Sequence, residues 1–175
     1  LELGAAMVND VSAGRRDPAM FETAAAANAF ICLMHGPVDT EGMAWSTDET
    51  AGTGNVVSEA SAFLSERARA AAGAGVSKDR IIIDPGFGFG KTVEQNLVLI
   101  REMGTLAGLG YPVLIGVSRK STIGRILGDV SPEERVEGSI ALALMAVERG
   151  AAVVRTHDVQ ATVRAIRALD AALGA

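Results

Sequence analysis

The 175-residue sequence holds one cysteine, one tryptophan and one tyrosine, and aromatic residues make up only 4% of it. A single thiol builds neither a disulfide framework nor a cysteine-based zinc site. Cys32 lies in the apolar run Phe30–Met34, so it reads as a small buried hydrophobe, and sparse cysteine usage leads us to expect a cytoplasmic protein. No apolar run reaches 18 residues and no signal-peptide pattern is present, so no membrane span is expected. Positive charge is also short. Sixteen Lys and Arg face 21 Asp and Glu, a net charge of −5 that argues against non-specific nucleic-acid binding. The two histidines, His35 and His157, lack the spacing of a metal motif on one element. There is no Walker loop, no GxSxG elbow and no Cys–His pair. An initiating methionine is missing too: Leu1 stands inside what reads as a helix end, so a piece of a longer protein is expected.

What is present suits a globular α/β domain. Hydrophobic residues make up 49%, charged residues 21%, and 20 glycines allow many tight strand–helix turns. Leu1–Gly4 reads as a helix tail, and residues 5–8 as a short strand ending in Asn9-Asp10. Asp17-Pro18 opens an Ala-rich helix to about Asn28, and Phe30–Met34 forms a strand ending at His35. Residues 36–53 are polar and long for a connection, which marks a functional or mobile loop. A helix over 56–72 leads to the strand Ile81–Ile83. The capping-box pattern Thr92–Gln95 opens a helix over 93–107. A strand over 111–117 ends in Ser118-Arg119-Lys120-Ser121, and a short helix covers 122–127. A second capping box, Ser131–Glu134, opens a helix to about Arg149. Residues 151–155 form a strand ending in Thr156-His157-Asp158, and a last helix spans 160–173. Strand and helix alternate throughout, which implies parallel βα units in one domain over residues 1–175.

The most informative stretch is Ile81–Lys91, IIIDPGFGFGK. Three isoleucines suit a strand buried on both faces. It ends in Asp84, then a Pro-Gly turn, two phenylalanines alternating with glycines, and Lys91, which together read as one wall of a pocket. All five strands end in polar or ionisable residues. In parallel α/β folds those ends share one face, and that face carries the site.

Each residue also has a plainer reading. Asp84 can be a turn former, and Lys120 and Arg119 can be surface charges. Cations are unfavourable at a helix N-terminus, however, so the pair suggests an anionic or electron-rich ligand. Arg155 and His157 alternate on one strand end and therefore share a side, as a phosphate clamp would. The plainer alternative is a salt bridge to Asp158 or Glu148. His35 can be a loop histidine or a site residue, Met7 and Met34 read as core, and Trp45 can be a lid or pack on a helix. Together these residues suggest a transferase or lyase for a phosphorylated heterocycle.

The motifs Asn9-Asp-Val-Ser12, Leu33-Met-His35, Asp84-Pro-Gly-Phe-Gly-Phe-Gly-Lys91, Ser118-Arg-Lys-Ser121, Gly138-Ser139 and Arg155-Thr-His-Asp-Val159 together resemble the dihydropteroate synthase family, in the family's order. The resemblance implies a TIM (β/α)8 barrel, here incomplete with about five βα units, corresponding to strands 4–8. It implies condensation of 6-hydroxymethyl-7,8-dihydropterin pyrophosphate with p-aminobenzoate, use of Mg2+, a homodimer, and the target of sulfonamides. It places Asn9, Asp84 and Met34 at the pterin, and Lys120 between pterin and p-aminobenzoate. Phe89 and Ser121 would border p-aminobenzoate, and Arg155, Thr156 and His157 would hold the pyrophosphate. Asp84, Lys120, Arg155 and His157 would carry the chemistry. The family's Mg2+ ligand belongs to the first strands, so no metal ligand is assigned in this chain. Gly36-Pro-Val-Asp39 departs from the family's usual loop. A pterin-dependent methyltransferase of the same superfamily, or an inactive or partial pterin-binding fragment, are the alternatives.

Overall fold

Among the described residues five short strands lie parallel, each followed by helix. The computed structural model of the chain describes residues 1–37 and 55–174. The strands are β1 (Met7–Asp10), β2 (Phe30–Met34), β3 (Ile81–Asp84), β4 (Leu114–Ile115) and β5 (Val153–Val154). β1, β2 and β3 pair in parallel in that order, β4 pairs with β5, and a single Ile83–Val113 bridge joins the two groups. The helices are α1 (Met20–Ala26), α2 (Val56–Gly73), α3 (Val93–Arg101), α4 (Met103–Ala107), α5 (Ser121–Ile126), α6 (Val136–Glu148) and α7 (Val159–Leu173). Sequential parallel strands in one curved layer with helices outside are five βα units of an incomplete barrel.

The pleat decides what faces inward, because successive side chains point to opposite faces. Ile31, Leu33 and Ile81 pack outward with Phe21, Ala24, Ala68 and Ala71 from the helices. Ile83, Val113 and Ile115 pack outward with Leu64, Leu99, Ile100, Met103 and Ala143. The opposite set, Cys32, Ile82 and Leu114 with half-buried Val153, makes a separate inner cluster. Cys32 is fully buried there, and burial pushes its thiol well above its ordinary range, so it is an inert packing group. Met7 on β1 and Phe30 at the start of β2 stay about two-fifths exposed.

The chain differs from its sequence reading mostly at element ends. β1 runs later, so Asn9 and Asp10 lie within the strand and not beyond it. The Thr92 capping box forms as read, but the helix breaks at Glu102, whose backbone leaves helical values, and a second helix follows. Gly104 sits in that second segment, where a glycine weakens continuation. The Ser131 capping box also forms, yet it opens a 3-10 turn, Pro132–Arg135, before α6 begins. β4 and β5 are shorter than read. Pro112 has no N–H to give the ladder, and the N–H groups of Ala152 and Val153 converge on one carbonyl, that of Val113. The pairing nevertheless carries on past β5, since the Arg155 N–H donates to the Ile115 carbonyl at 2.9 Å. The long loop after Gly36 and Pro37, including Trp45, falls outside the described residues.

Candidate functional site

Parallel pairing in register brings the sequence-predicted residues to one end of one face. Met34 stands opposite Asp84 across the β2–β3 pair, and Asn9 lies two positions back on the β1 side, paired with Cys32. Alternation then sets Asn9, Met34, Asp84, the Gly116 backbone and Arg155 on the inner face. Asn9 is exposed, whereas Met34 and Asp84 are 2% exposed. The neighbouring Asp10 has another role. Its carboxylate accepts from the Ser12 N–H, the Ser12 hydroxyl and the Gly14 N–H, which fixes the turn after β1.

Asp84 accepts a 2.7 Å hydrogen bond from the Gly86 N–H through its Oδ1. Burial holds its carboxyl above the usual carboxylate range, against the opposing pull of Lys120, the Gly86 N–H, Arg155 and Lys91. Lys120 lies close by. Its ammonium donates to the Phe87 carbonyl and sits 4.4 Å from the centre of the Phe89 ring. Burial brings Lys120 down to about 8, with Asp84 raising it and Arg155 and Lys91 lowering it further. Gly88 is what allows this arrangement. Its φ is +82°, and a Cβ there would fall 2.7 Å from Lys120 Cδ.

The wall inferred from Ile81–Lys91 separates into parts with different roles. Phe87 is fully buried in the outer core, with its ring centre 5.8 Å from the Lys120 ammonium, whereas the Phe89 ring lies closer, at 4.4 Å. Lys91 is 3% exposed and gives its ammonium to three carbonyls, those of His35 (3.1 Å), Gly86 (3.0 Å) and Phe89 (3.2 Å). Burial lowers it to about 8 against Asp84 and Glu59. With its donors spent on backbone, Lys91 ties the end of β2 to the loop after β3.

Arg155 and His157 do share one cleft, of about 270 Å³, with Gly116, Ser118, Lys120 and Thr156. His157 Nδ1 is 2.9 Å from the Ser118 hydroxyl, which also accepts from the His157 N–H. That pairing fixes the ring and leaves Nε2 as the nitrogen facing outward from it. The salt bridge considered for Arg155 or His157 goes elsewhere. Asp158 holds Arg119 through two bonds, 3.0 Å and 2.7 Å, which raises the guanidinium and lowers the carboxyl. Arg119 is thus a structural partner of Asp158 rather than a ligand cation, while Lys120 faces the site. The Thr156 hydroxyl accepts from the Asp158 N–H and meets Thr162, both at the start of α7. Ser121 is the first residue of α5, directly after Lys120.

Gly116 gives Arg155 its room. A Cβ there would stand 3.0 Å from Arg155 Nη2 and 3.2 Å from Nε. Gly116→Ala is therefore expected to displace the guanidinium and, on the phosphate-clamp reading of Arg155, to weaken pyrophosphate binding about tenfold, with a stability change of about 1 kcal/mol or less. Calorimetric titration with pyrophosphate beside a urea melt checks both parts.

His35 is half-buried, with its ring edge on Phe63 at 5.3 Å and its Nδ1 without a partner among the described residues. Burial, helped by Lys91, lowers it from its ordinary 6.5 to about 4, against a bond to the Pro85 carbonyl. The unfolded chain takes up this proton below pH 6.5 and the folded chain does not. Stability should fall as pH drops from 6.5 to 4, by on the order of 2 kcal/mol. Urea melts across that window check it, and a slope that survives in His35→Gln would count against the assignment.

Sequence reasoning missed Asn96, on α3. Its carboxamide accepts from the Gly88 N–H at 2.7 Å and donates to the Thr122 hydroxyl at 2.9 Å. Its local signal, a polar residue in a capped first turn, looks like any helix surface position. Among the described residues no group of three His, Cys, Asp or Glu side chains converges as metal ligands, so these residues do not by themselves make a Mg2+ site.

Known proteins place the arrangement. The model of the pterin binding enzyme family matches residues 1–157. The dihydropteroate synthase of Neisseria meningitidis serogroup B is 42% identical over 171 residues, covering 96% of this chain and 59% of that protein. The Escherichia coli K12 dihydropteroate synthase is 36% identical over 174 residues, covering 99% of this chain and 60% of that one. The chain thus spans about 59–60% of the length of these relatives. Among solved structures, Xanthomonas albilineans dihydropteroate synthase with 4-aminobenzoic acid aligns with a TM-score of 0.89 at 41% identity, covering 99% of this chain and 60% of that one. The Thermus thermophilus enzyme in complex with 6HMPPP aligns with a TM-score of 0.84 at 41% identity, covering 97% and 63%. A match over residues 1–157, with relatives 36–42% identical over nearly the whole chain, means that the chain belongs to the pterin binding enzyme family.

Proposed function

We propose that the protein carrying this chain is a dihydropteroate synthase, which joins 6-hydroxymethyl-7,8-dihydropterin pyrophosphate to p-aminobenzoate and releases pyrophosphate. The observation that carries this reading is the buried Asp84 carboxyl with Lys120 and Arg155 as its cations, at the strand ends. The bond from the pterin methylene to the pyrophosphate oxygen breaks, and the aniline nitrogen attacks that carbon and loses a proton. No protein nucleophile is required. Asp84 accepts from the donor edge of the pterin and the Asn9 amide both donates to it and accepts from it, with Met34 against the ring. Asp84 as carboxylate offsets the positive charge developing on the methylene. Arg155 and His157, with Thr156 beside them, take the charge developing on the pyrophosphate. Lys120 lies between the two substrates, and Phe89 and Ser121 border p-aminobenzoate.

Mg2+ belongs to this proposal for the complete catalyst, and no step is derived through it, because the described residues provide no cage. A homodimer, a cytoplasmic location and competition between sulfonamides and p-aminobenzoate are parts of the same reading. Among the described residues no helix is long and apolar enough to cross a membrane.

The test is calorimetric titration with the dihydropterin pyrophosphate and with p-aminobenzoate, beside a pyrophosphate-release assay with and without EDTA. Binding of the pterin pyrophosphate with EDTA-sensitive release supports the synthase. Binding without release supports the alternative of a partial pterin-binding unit, which the outer edges of β1 and β5, unpaired among the described residues, favour. Binding of neither substrate overturns the site.

A further inference from the structure

Lys120 is the side chain on which the proposed site turns, and its position is set from two directions. Its tip lies across Gly88, with the ammonium on the Phe87 carbonyl and over the Phe89 ring. Its backbone is the N-cap of α5, with the Ile123 N–H donating to its carbonyl at 3.0 Å. One residue reaches both places. Asn96 is fully buried, and its Oδ1 accepts from the Gly88 N–H at 2.7 Å while its Nδ2 donates to the Thr122 hydroxyl at 2.9 Å. A weaker 3.4 Å contact runs from Nδ2 to the Lys91 carbonyl, at the close of the same loop. Thr122 is fully buried as well and lies in the first turn of α5.

We propose that Asn96 is the positioning residue for Lys120: it joins the glycine-phenylalanine loop, on which the lysine side chain rests, to the helix from which that side chain springs. Its meaning for catalysis rests on the reading of Lys120 given above. The amide suits this joint because it both accepts and donates, so it can bridge a backbone N–H on one side and a hydroxyl on the other. In a buried setting each unmet partner is costly, and this favours one relative placement of loop and helix over a range of them. Leucine would fill the volume and make neither bond. Aspartate would keep the Gly88 bond and lose the donor.

Amine labelling tests this without any ligand, so a chain that binds neither substrate still reports on the joint. The chain has three lysines. Lys78 is exposed, Lys91 is held by three carbonyls, and Lys120 is the probe. The whole chain is treated with limiting activated ester, and the rate at each lysine is read by peptide mass spectrometry. Lys120 should label more slowly than Lys78 in the unaltered chain. Asn96→Leu and Thr122→Val should each raise Lys120 labelling about tenfold relative to Lys78, as expected when a buried polar partner is lost. Thr122→Ser, which restores the hydroxyl, should return it close to the unaltered rate. Thr122→Val is nearly isosteric and remains informative if Asn96→Leu folds poorly. In Thr122→Val, Lys91 should keep its protection, because its three carbonyls are untouched. The proposal is overturned by equal Lys120 and Lys78 rates in the unaltered chain, or by no change in Lys120 in Thr122→Val. It is also overturned if Lys91 and Lys120 rise together in Thr122→Val, since a general loosening of the fold would do that.

Discussion

Asp84→Asn is expected, under the proposed function, to cost this chain about 100-fold in affinity for the dihydropterin pyrophosphate, the value of a buried charge-assisted bond pair. A second effect accompanies it. Asp84 is the leading group raising both Lys91 and Lys120, each already lowered to about 8 by burial. Without that carboxylate both ammonium groups should fall below about 8. The pH dependence has a definite sign. Binding of a donor edge needs the carboxylate, and burial raises its pKa. Affinity in the unaltered chain should therefore decline on acidification, starting at a higher pH than an ordinary carboxylate would set. In Asp84→Asn that decline should be gone. Calorimetry from about pH 4 to about pH 8 reads the first effect, and pH-resolved amine labelling reads the second. Normal binding by the Asp84→Asn variant would remove Asp84 from the site.

Arg155→Ala carries the second large effect, again about 100-fold in pterin pyrophosphate affinity. Its diagnostic feature is selectivity. The same variant should bind 6-hydroxymethyl-7,8-dihydropterin, which lacks the pyrophosphate, within about threefold of the unaltered chain, because Arg155 is exposed and, in the proposed function, acts on the anion. The affinity of the unaltered chain should also weaken with salt, and the variant should show less of that dependence. Arg155 lowers Lys120, so the variant should shift Lys120 upward, opposite to the effect of Asp84→Asn. Equal losses for the two pterins would place Arg155 at the ring and not at the phosphates. That outcome would favour the methyltransferase reading, which has no pyrophosphate to hold.

Much of the candidate site was legible along the chain because its residues sit at strand ends, and strand ends are marked locally. Asp84 follows three isoleucines and precedes Pro-Gly, and Arg155 and His157 follow Ala-Ala-Val-Val. A run of buried apolar residues that stops at an ionisable group is a signal within a few positions. Arg119 shows the limit. Next to Lys120 it looked like a second ligand cation, but its partner Asp158 stands 39 positions away. Adjacent residues at a turn diverge, and no local pattern tells which one faces the ligand. Lys91 and Asn96 show the same limit from the other side. Each is polar in a short polar stretch, yet both are buried, because backbone carbonyls of the loop and a threonine 26 positions on provide their partners.

The sequence by itself determined the alternation of strand and helix, the two capping boxes, the shared side of Arg155 and His157, and the set of chemical groups at one end. These depend on periods of two and about 3.6 residues and on single-residue preferences, which act over a few positions. The tertiary structure alone decided which charges meet. It placed Arg155 over Gly116, turned Arg119 to Asp158, spent Lys91 on three carbonyls, and hung Lys120 between Asn96's two partners. The physical reason is that the energy of a buried polar group depends on whether its donors and acceptors are met. Those partners come from elements distant in the chain that only packing brings within hydrogen-bonding reach.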